Sequence, residues 1–349
     1  MTLDPFAHTT LGRTVLRPTR LGFGTAEIGG LFRAVSDEDA ATVIEHAWKV
    51  GIRYFDTAPL YGYGNAERRL GSALRDRPRD EYVLSTKVGR LLVPIREVPE
   101  GADVDRQAID GVDDASYVGT PPVRVVFDYS YDGVLRSVEA SLGRLGLDRI
   151  DILYVHDPDD HWEAAIGGAI PALHRLRDEG TVGAIGAGMN QAPMLARFVR
   201  EGDIDVVLVA GRYTLLDQAA LPELMPLCLD RNVAVMIGGV MNSGILADPR
   251  PGARFNYASA PSALVERAQG LRAVCERHGV PLRAAAIQFA LAHPAVRSLV
   301  AGVRTIDHLD DYPALMALPI PDALWADLRA EGLVDLAAPV PSAETSSPG

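Results

Sequence analysis

Four side chains in the first half of the chain, Asp56, Tyr61, Lys87 and His156, have the types needed to move a proton onto or off an oxygen. A tyrosine hydroxyl is a weak acid with a reference pKa of about 10. A nearby lysine ammonium would stabilise the phenolate and lower that value, and an aspartate partnered with the lysine would keep it oriented. A neutral histidine can donate a hydrogen bond to a carbonyl or alkoxide oxygen. Such a set suits proton transfer to an oxygen whose carbon gains or loses hydride.

Three of the four close an apolar, β-branched run. Asp56 ends Arg53-Tyr54-Phe55-Asp56, Lys87 ends Tyr82-Val83-Leu84-Ser85-Thr86-Lys87, and His156 ends Ile150-Asp151-Ile152-Leu153-Tyr154-Val155-His156. Tyr61 lies a few residues beyond Asp56, in the loop Pro59-Leu60-Tyr61-Gly62-Tyr63-Gly64. Five similar runs begin at Leu21, Val182, Val206, Val233 and Ser298. They barely alternate, as expected of strands buried on both faces of a parallel sheet. Amphipathic stretches separate them. Ala40, Val43, Ile44, Ala47 and Trp48 share one helical face, behind the capping box Ser36-Asp37-Glu38-Asp39 and before Gly51. Further helices are read over residues 66–75, 134–145 (ended by Gly146), 165–176, 194–200, 221–229, 263–278 and 282–292.

Eight strands with intervening helices predict an α/β fold, the (β/α)8 TIM barrel, whose chemistry sits at the C-terminal strand ends. An open doubly wound sheet would want a third glycine after the first strand, and Gly22-Phe23-Gly24-Thr25-Ala26-Glu27 lacks it. One barrel domain is expected over about residues 1–340. Residues 91–128 read as a long, non-periodic insertion placed to act as a lid, and residues 341–349 as a flexible tail.

The 349 residues are 48% hydrophobic and 23% charged, with a net charge of −12. An acidic balance with no basic run argues against nucleic acid or an anionic membrane as partner. Two cysteines are too few for a disulfide framework. The longest apolar stretches, such as residues 233–241, are about half a membrane span. Met1-Thr2-Leu3-Asp4-Pro5 lacks the basic and apolar regions of a signal peptide. A soluble, reduced, cytoplasmic protein is expected. No motif specifies an oligomeric state.

Plainer readings compete at each position. Asp56 could cap a strand end, Tyr61 could be a surface aromatic, and His156 a satisfied core histidine. Asn190 could cap the helix that follows it. The run His156-Asp157-Pro158-Asp159-Asp160-His161 is dense in metal-ligand types, but it is contiguous in one loop and leaves tyrosine and lysine without a role. No metal is expected.

The chain resembles the aldo-keto reductases. The resemblance rests on Gly51-Ile52-Arg53-Tyr54-Phe55-Asp56-Thr57-Ala58-Pro59-Leu60-Tyr61-Gly62, Leu84-Ser85-Thr86-Lys87-Val88-Gly89, residues 148–156, and Ile185-Gly186-Ala187-Gly188-Met189-Asn190. It implies a barrel that binds a nicotinamide dinucleotide without a Rossmann fold. Tyr61 would be the acid/base, Lys87 and Asp56 its tuners, His156 the donor to the substrate oxygen, and Asn190 the partner of the nicotinamide carboxamide. Gly238 and the loop Met241-Asn242-Ser243-Gly244-Ile245-Leu246 would meet the pyrophosphate, with Asn242, Ser243, Gly244 and Leu246 as contacts. Gly302 and Arg304 would meet the adenosine end.

Several positions depart from the family pattern. Gly238-Gly239 stands where relatives place an aromatic, Met189 where many have serine, and Ala210 where many have glutamine. Gly302 replaces the lysine commonly used against a 2′-phosphate, and Asp307, Asp310 and Asp311 follow it. These features predict NAD over NADP. Within the family, residues 54–62, Val126-Phe127-Asp128-Tyr129-Ser130 and Gly238-Gly239 look most like the aldose 1-dehydrogenases acting on L-fucose, D-threo-aldoses or L-galactose. The resemblance implies oxidation of a hemiacetal carbon to a lactone, with a small sugar or aldehyde as substrate. Residues 91–128 and Trp162 are candidates for the sugar-facing wall. Oxidation of pyridoxal, broad NADPH-dependent carbonyl reduction and a cofactor-sensing regulatory role are the alternatives.

Overall fold

The computed structural model describes residues 3–105 and 117–341. Eight parallel strands close into a barrel: β1 (Leu21–Gly24), β2 (Tyr54–Asp56), β3 (Val83–Val88), β6 (Ile152–His156), β7 (Ala184–Met189), β8 (Val206–Ala210), β9 (Ala234–Gly238) and β12 (Val296–Gly302). The order around the barrel is β1-β12-β9-β8-β7-β6-β3-β2. All eight runs read from the sequence are strands of this barrel.

Side chains alternate along a strand, and that parity builds two cores. Tyr54, Val83, Ile152, Tyr154, Val206 and Met236 pack together inside the barrel. Phe55, Leu84, Leu153, Val155, Val207 and Val235 point outward under the helices. The same parity continues to the strand ends, so Asp56, Ser85, Lys87 and His156 share the interior-facing phase. Register fixes their heights, pairing Asp56 with Ser85 and Lys87 with Tyr154.

The helices follow local chemistry. Ser36 caps Asp37–Val50 by accepting from the Asp39 backbone N–H, and that helix and Tyr131–Leu145 stop at Gly51 and Gly146 as expected. The stretch expected as one helix over 165–176 is instead an α-helical turn, a π-helical segment Ala165–Ala169 and then Ile170–Asp178.

Residues 91–128 are not uniformly irregular. β4 (Arg90–Pro94) and β5 (Val123–Phe127) form an antiparallel ladder at the C-terminal face, running from Arg90 opposite Phe127 to Pro94 opposite Val123. Val104 bridges to Val126 and Tyr117 to Leu31. β4 is mostly apolar and β5 mostly β-branched, yet their pairing partners are far apart in sequence. No hairpin-turn signal joins them, and local pattern does not reveal the ladder. A second two-stranded ribbon, β10 (Arg254–Phe255) with β11 (Ala258–Ser259), lies beyond β9. Residues 106–116, within the expected lid, and 342–349, within the expected tail, lie outside the described residues.

Candidate active site

Lys87 is almost fully buried, which an ammonium tolerates only when paired. Its Nζ donates to Asp56 Oδ2 at 2.7 Å and to the Thr57 carbonyl at 2.9 Å. Ser85 Oγ donates to the other oxygen of Asp56 at 2.6 Å and lies 3.1 Å from the Tyr54 hydroxyl. The ammonium sits 4.6 Å from the centroid of the Tyr61 ring, and Tyr61 meets His156 edge-on at 5.9 Å between ring centres. The loop carrying Tyr61 is pressed against the loop after β1. A Cβ on Gly62, whose φ is +62°, would stand 2.2 Å from the Gly29 carbonyl oxygen, so only glycine fits there. Asp56, Tyr61, Lys87 and His156 therefore converge, although they come from three strands and a loop.

Burial, reinforced by the neighbouring Asp56 charge, raises the Tyr61 phenol well above its ordinary value. The lysine-driven lowering expected from sequence does not prevail against this burial. His156 moves the other way. Burial, then the charges of Arg90 and Lys87, hold its pKa well below the usual imidazole range. A neutral imidazole with a phenol beside it presents two N–H or O–H donors to a substrate oxygen.

The backbone of His156 is anchored by the Tyr129 hydroxyl, which donates to its carbonyl at 2.6 Å. Asp157 follows with φ +40°. Its Oδ2 lies 3.3 Å from Arg90 Nη2 and 3.5 Å from His156 Nε2. Arg90, from β4, also pairs with Asp105. The run expected as a metal decoy is spread over separate partners: Asp157 with Arg90, Asp159 with Gln191 and His161 with Asp103. Among the described residues, no group of three or more metal-ligating side chains is placed to hold an ion.

Two adjoining cavities meet at Tyr61. The smaller, about 190 Å³, is lined by Tyr61, Lys87 and His156 together with Arg90, Asp157, Tyr117 and Tyr257. The larger, about 480 Å³, runs away over Gly238, Gly239, Gly244 and Gly302 towards Glu27 and Arg304. Space is open where a Cβ on Gly244 would stand, and beyond its chain neighbours a Cβ on Gly302 would meet only Glu27, at 3.6 Å. The β10–β11 ribbon brings Tyr257 across to Phe32, with 6.5 Å between ring centres. A glycine-lined trough under such a strap fits an extended dinucleotide, whose phosphates need close backbone approach.

The residues expected along the cofactor divide. Asn190, Gly238, Asn242, Ser243, Gly244, Gly302 and Arg304 line the larger cavity. Asn190 is not the helix cap; Gln191 takes that role, accepting from the Met194 N–H. Asn242 spends its amide on Gly211 O at 3.0 Å and Thr214 Oγ1 at 2.6 Å, so it shapes the loop. Leu246 is displaced from the expected set: its side chain is fully buried in the core and its N–H donates to Met241 O. Its place one turn beyond Asn242 turns it inward. Trp162 likewise packs on Phe198, beneath Arg197, and lines neither cavity.

Arg304 is engaged by Glu27 and by the Leu31 carbonyl at 2.7 Å. The acidic trio acts differently from its expected role. Asp310 binds His46 at 2.6 Å and Asp311 binds Arg283 at 2.8 Å, and none of the three lines the cleft. Glu27 does, at the end where Arg304 lies, and Asp56 does at the Tyr61 end. Glu27, Arg90, Asp157, Tyr117 and Tyr257 were missed as site residues. Glu27 follows a strand end and was findable by the rule that located Asp56. Arg90 and Tyr117 depended on the long-range ladder.

Acid–base chemistry at a barrel rim, beside a long glycine-floored trough, is the layout of an oxidoreductase working with a dinucleotide. The chain belongs to the aldo/keto reductase family, whose model matches residues 20–331. It is an NAD(P)-dependent oxidoreductase of that family. It is 45% identical over 318 residues to a D-threo-aldose 1-dehydrogenase from a Pseudomonas species, covering 90% of this chain and 94% of that protein. It is 44% identical over 335 residues to pyridoxal 4-dehydrogenase from Microbacterium luteolum, covering 93% and 97%. In fold it is similar to the holo form of an aldo-keto reductase from Bacillus halodurans, with a TM-score of 0.72 at 24% identity, covering 97% of this chain and 99% of that one. No helix among the described residues is long and apolar enough to cross a membrane.

Proposed function

We propose that the protein oxidises the hemiacetal carbon of an aldose of the L-fucose or D-threo type, giving the lactone, with NAD preferred over NADP. The observation that carries this reading is the small cavity, where a neutral histidine, a phenol and a buried ion pair meet under an aromatic wall. Such a mixture of polar groups and ring faces suits a polyol. The 45%-identical D-threo-aldose 1-dehydrogenase supports the same substrate class.

His156 donates its Nε2–H to the reacting oxygen. Tyr61, in its phenolate form, takes the hydroxyl proton as the carbon–hydrogen bond is broken and becomes the neutral phenol, and Lys87, paired with Asp56, lies against its ring. When bound, the nicotinamide supplies the acceptor for the hydride. Asn190 and Gly238 would receive the ring, the loop Asn242–Gly244 the phosphates through its backbone, and Gly302 with Arg304 the adenosine end; their common position along the larger cavity supports this assignment. The NAD preference is supported by the commitment of both cleft arginines to carboxylates, Arg304 to Glu27 and Arg283 to Asp311. A 2′-phosphate would have to break one of these pairs.

The second reading is oxidation of pyridoxal, favoured by the 44%-identical relative. A panel of aldoses and pyridoxal, run against both cofactors, decides between them. NADH formation with L-fucose or D-arabinose is expected. Turnover of pyridoxal alone would establish the second reading, rapid reduction of aromatic aldehydes without aldose turnover would overturn the first, and a higher kcat/KM with NADP would overturn the cofactor assignment. The single-domain organisation over residues 1–340 belongs to the same proposal.

A further inference from the structure

We propose that Asp157 is a specificity-determining residue, accepting a hydrogen bond from the hydroxyl on the carbon next to the reacting one. The inference rests on the aldose reading and assigns a role to a carboxylate that the proton-transfer steps do not use.

Asp157 sits at the polar end of the small cavity, immediately after His156. Its left-handed backbone, φ +40°, turns the side chain back beside the imidazole. The Tyr129 hydroxyl lies 3.0 Å from the Asp157 carbonyl oxygen as well as binding that of His156, so this turn is fixed from behind. On the cavity side Oδ2 is 3.3 Å from Arg90 Nη2 and 3.5 Å from His156 Nε2. One guanidinium serves two carboxylates here, Asp105 and Asp157. The Asn190 backbone N–H also interacts with this carboxylate. An ionised carboxylate offers about four lone-pair sites, so Asp157 keeps acceptor capacity for a ligand beyond these partners.

The distances select which hydroxyl. A reacting oxygen that accepts from His156 Nε2 lies within about 3 Å of that nitrogen. The carboxylate is beside the same nitrogen, 3.5 Å away, which brings a hydroxyl on the carbon next to the reacting one within its reach. In an aldose that substituent is the 2-hydroxyl. Burial raises the Asp157 carboxyl to about 6, which still leaves it an acceptor at neutral and alkaline pH.

The test compares kcat/KM for L-fucose and 2-deoxy-L-fucose. Hydrogen bonds to charged groups predict a preference of roughly ten- to a hundred-fold for the 2-hydroxy sugar in the wild-type enzyme. Asp157→Asn, which suits this left-handed backbone, and Asp157→Glu, which moves the carboxylate by one methylene, should each bring the ratio down several-fold. A merely structural partner of Arg90 would lower both substrates together and leave the ratio unchanged, overturning the proposal. Equal wild-type kcat/KM for the two sugars would also overturn it while leaving the aldose reading intact. Failure to oxidise any aldose with either cofactor would remove both.

Discussion

Tyr61 works against its surroundings. Burial and Asp56 favour the protonated phenol, so the group is poised to give a proton and reluctant to take one. Oxidation should therefore speed up as pH rises from 7 towards 10, because the phenolate fraction grows with each step below the raised pKa. A flat profile for the chemical step, followed under single-turnover conditions, would count against Tyr61 as the base. Tyr61→Phe removes the transferable proton and keeps the ring over Lys87. Its turnover should fall by about 10²- to 10⁴-fold while cofactor affinity, measured by fluorescence titration, stays close to wild type. Residue type alone made Asp56, Lys87 and His156 legible at strand ends. The sign of the tyrosine shift was not legible, since it depends on how deeply the closed barrel rim buries the phenol.

Elements succeed or fail by how closely their backbones approach. The helix Asn65–Leu74 begins directly after the Tyr61 loop and packs on Tyr131–Leu145 through Gly71. A Cβ at Gly71 would stand 1.8 Å from the Leu145 carbonyl oxygen. Gly71→Ala must push the two helices apart, and overpacking of this kind costs about 1–3 kcal/mol. Urea denaturation should show a lower midpoint with an unchanged slope; a midpoint equal to wild type would mean the helices separate freely. The helical and barrel elements were readable because their signals are local: capping at Ser36, parity along β2, β3 and β6. The β4–β5 ladder was not, because its strands find each other only after the intervening chain has closed.

For the whole molecule, pH acts through buried neutral groups as well as through the active site. His293 is buried against Tyr213 at the end of the helix Leu282–Leu291, and its ring nitrogen accepts from the Ala295 N–H at 3.2 Å. Desolvation pushes its pKa down to about 4. The unfolded chain binds that proton near pH 6.5 and the folded chain does not, so stability is full above pH 6.5 and declines towards pH 4. The loss from this site is at most about 3 kcal/mol, and His156 adds to it with the same sign. His293→Asn, which keeps an acceptor for Ala295, should unfold with a smaller drop between pH 7 and 4.5 by chemical denaturation. An equal drop would assign the acid sensitivity elsewhere. The acidic surplus has a narrower effect than composition suggested, since Asp310 and Asp311 are paired away from the cleft, and Glu27 and Asp56 are the carboxylates among the described residues that line it.

By itself the sequence determined the barrel, the strand phase that sends Asp56, Lys87 and His156 inward, and the glycine-rich loops along the larger cavity. Those properties follow from periodicity and residue type over short spans. Tertiary structure decided what surrounds them. It placed Arg90 and Tyr117 against the smaller cavity, turned Leu246 and Trp162 into the core, gave Arg304 to Glu27, and set Asp157 beside His156. Each of these depends on distances between segments far apart in the chain, and such distances exist only once the barrel has closed.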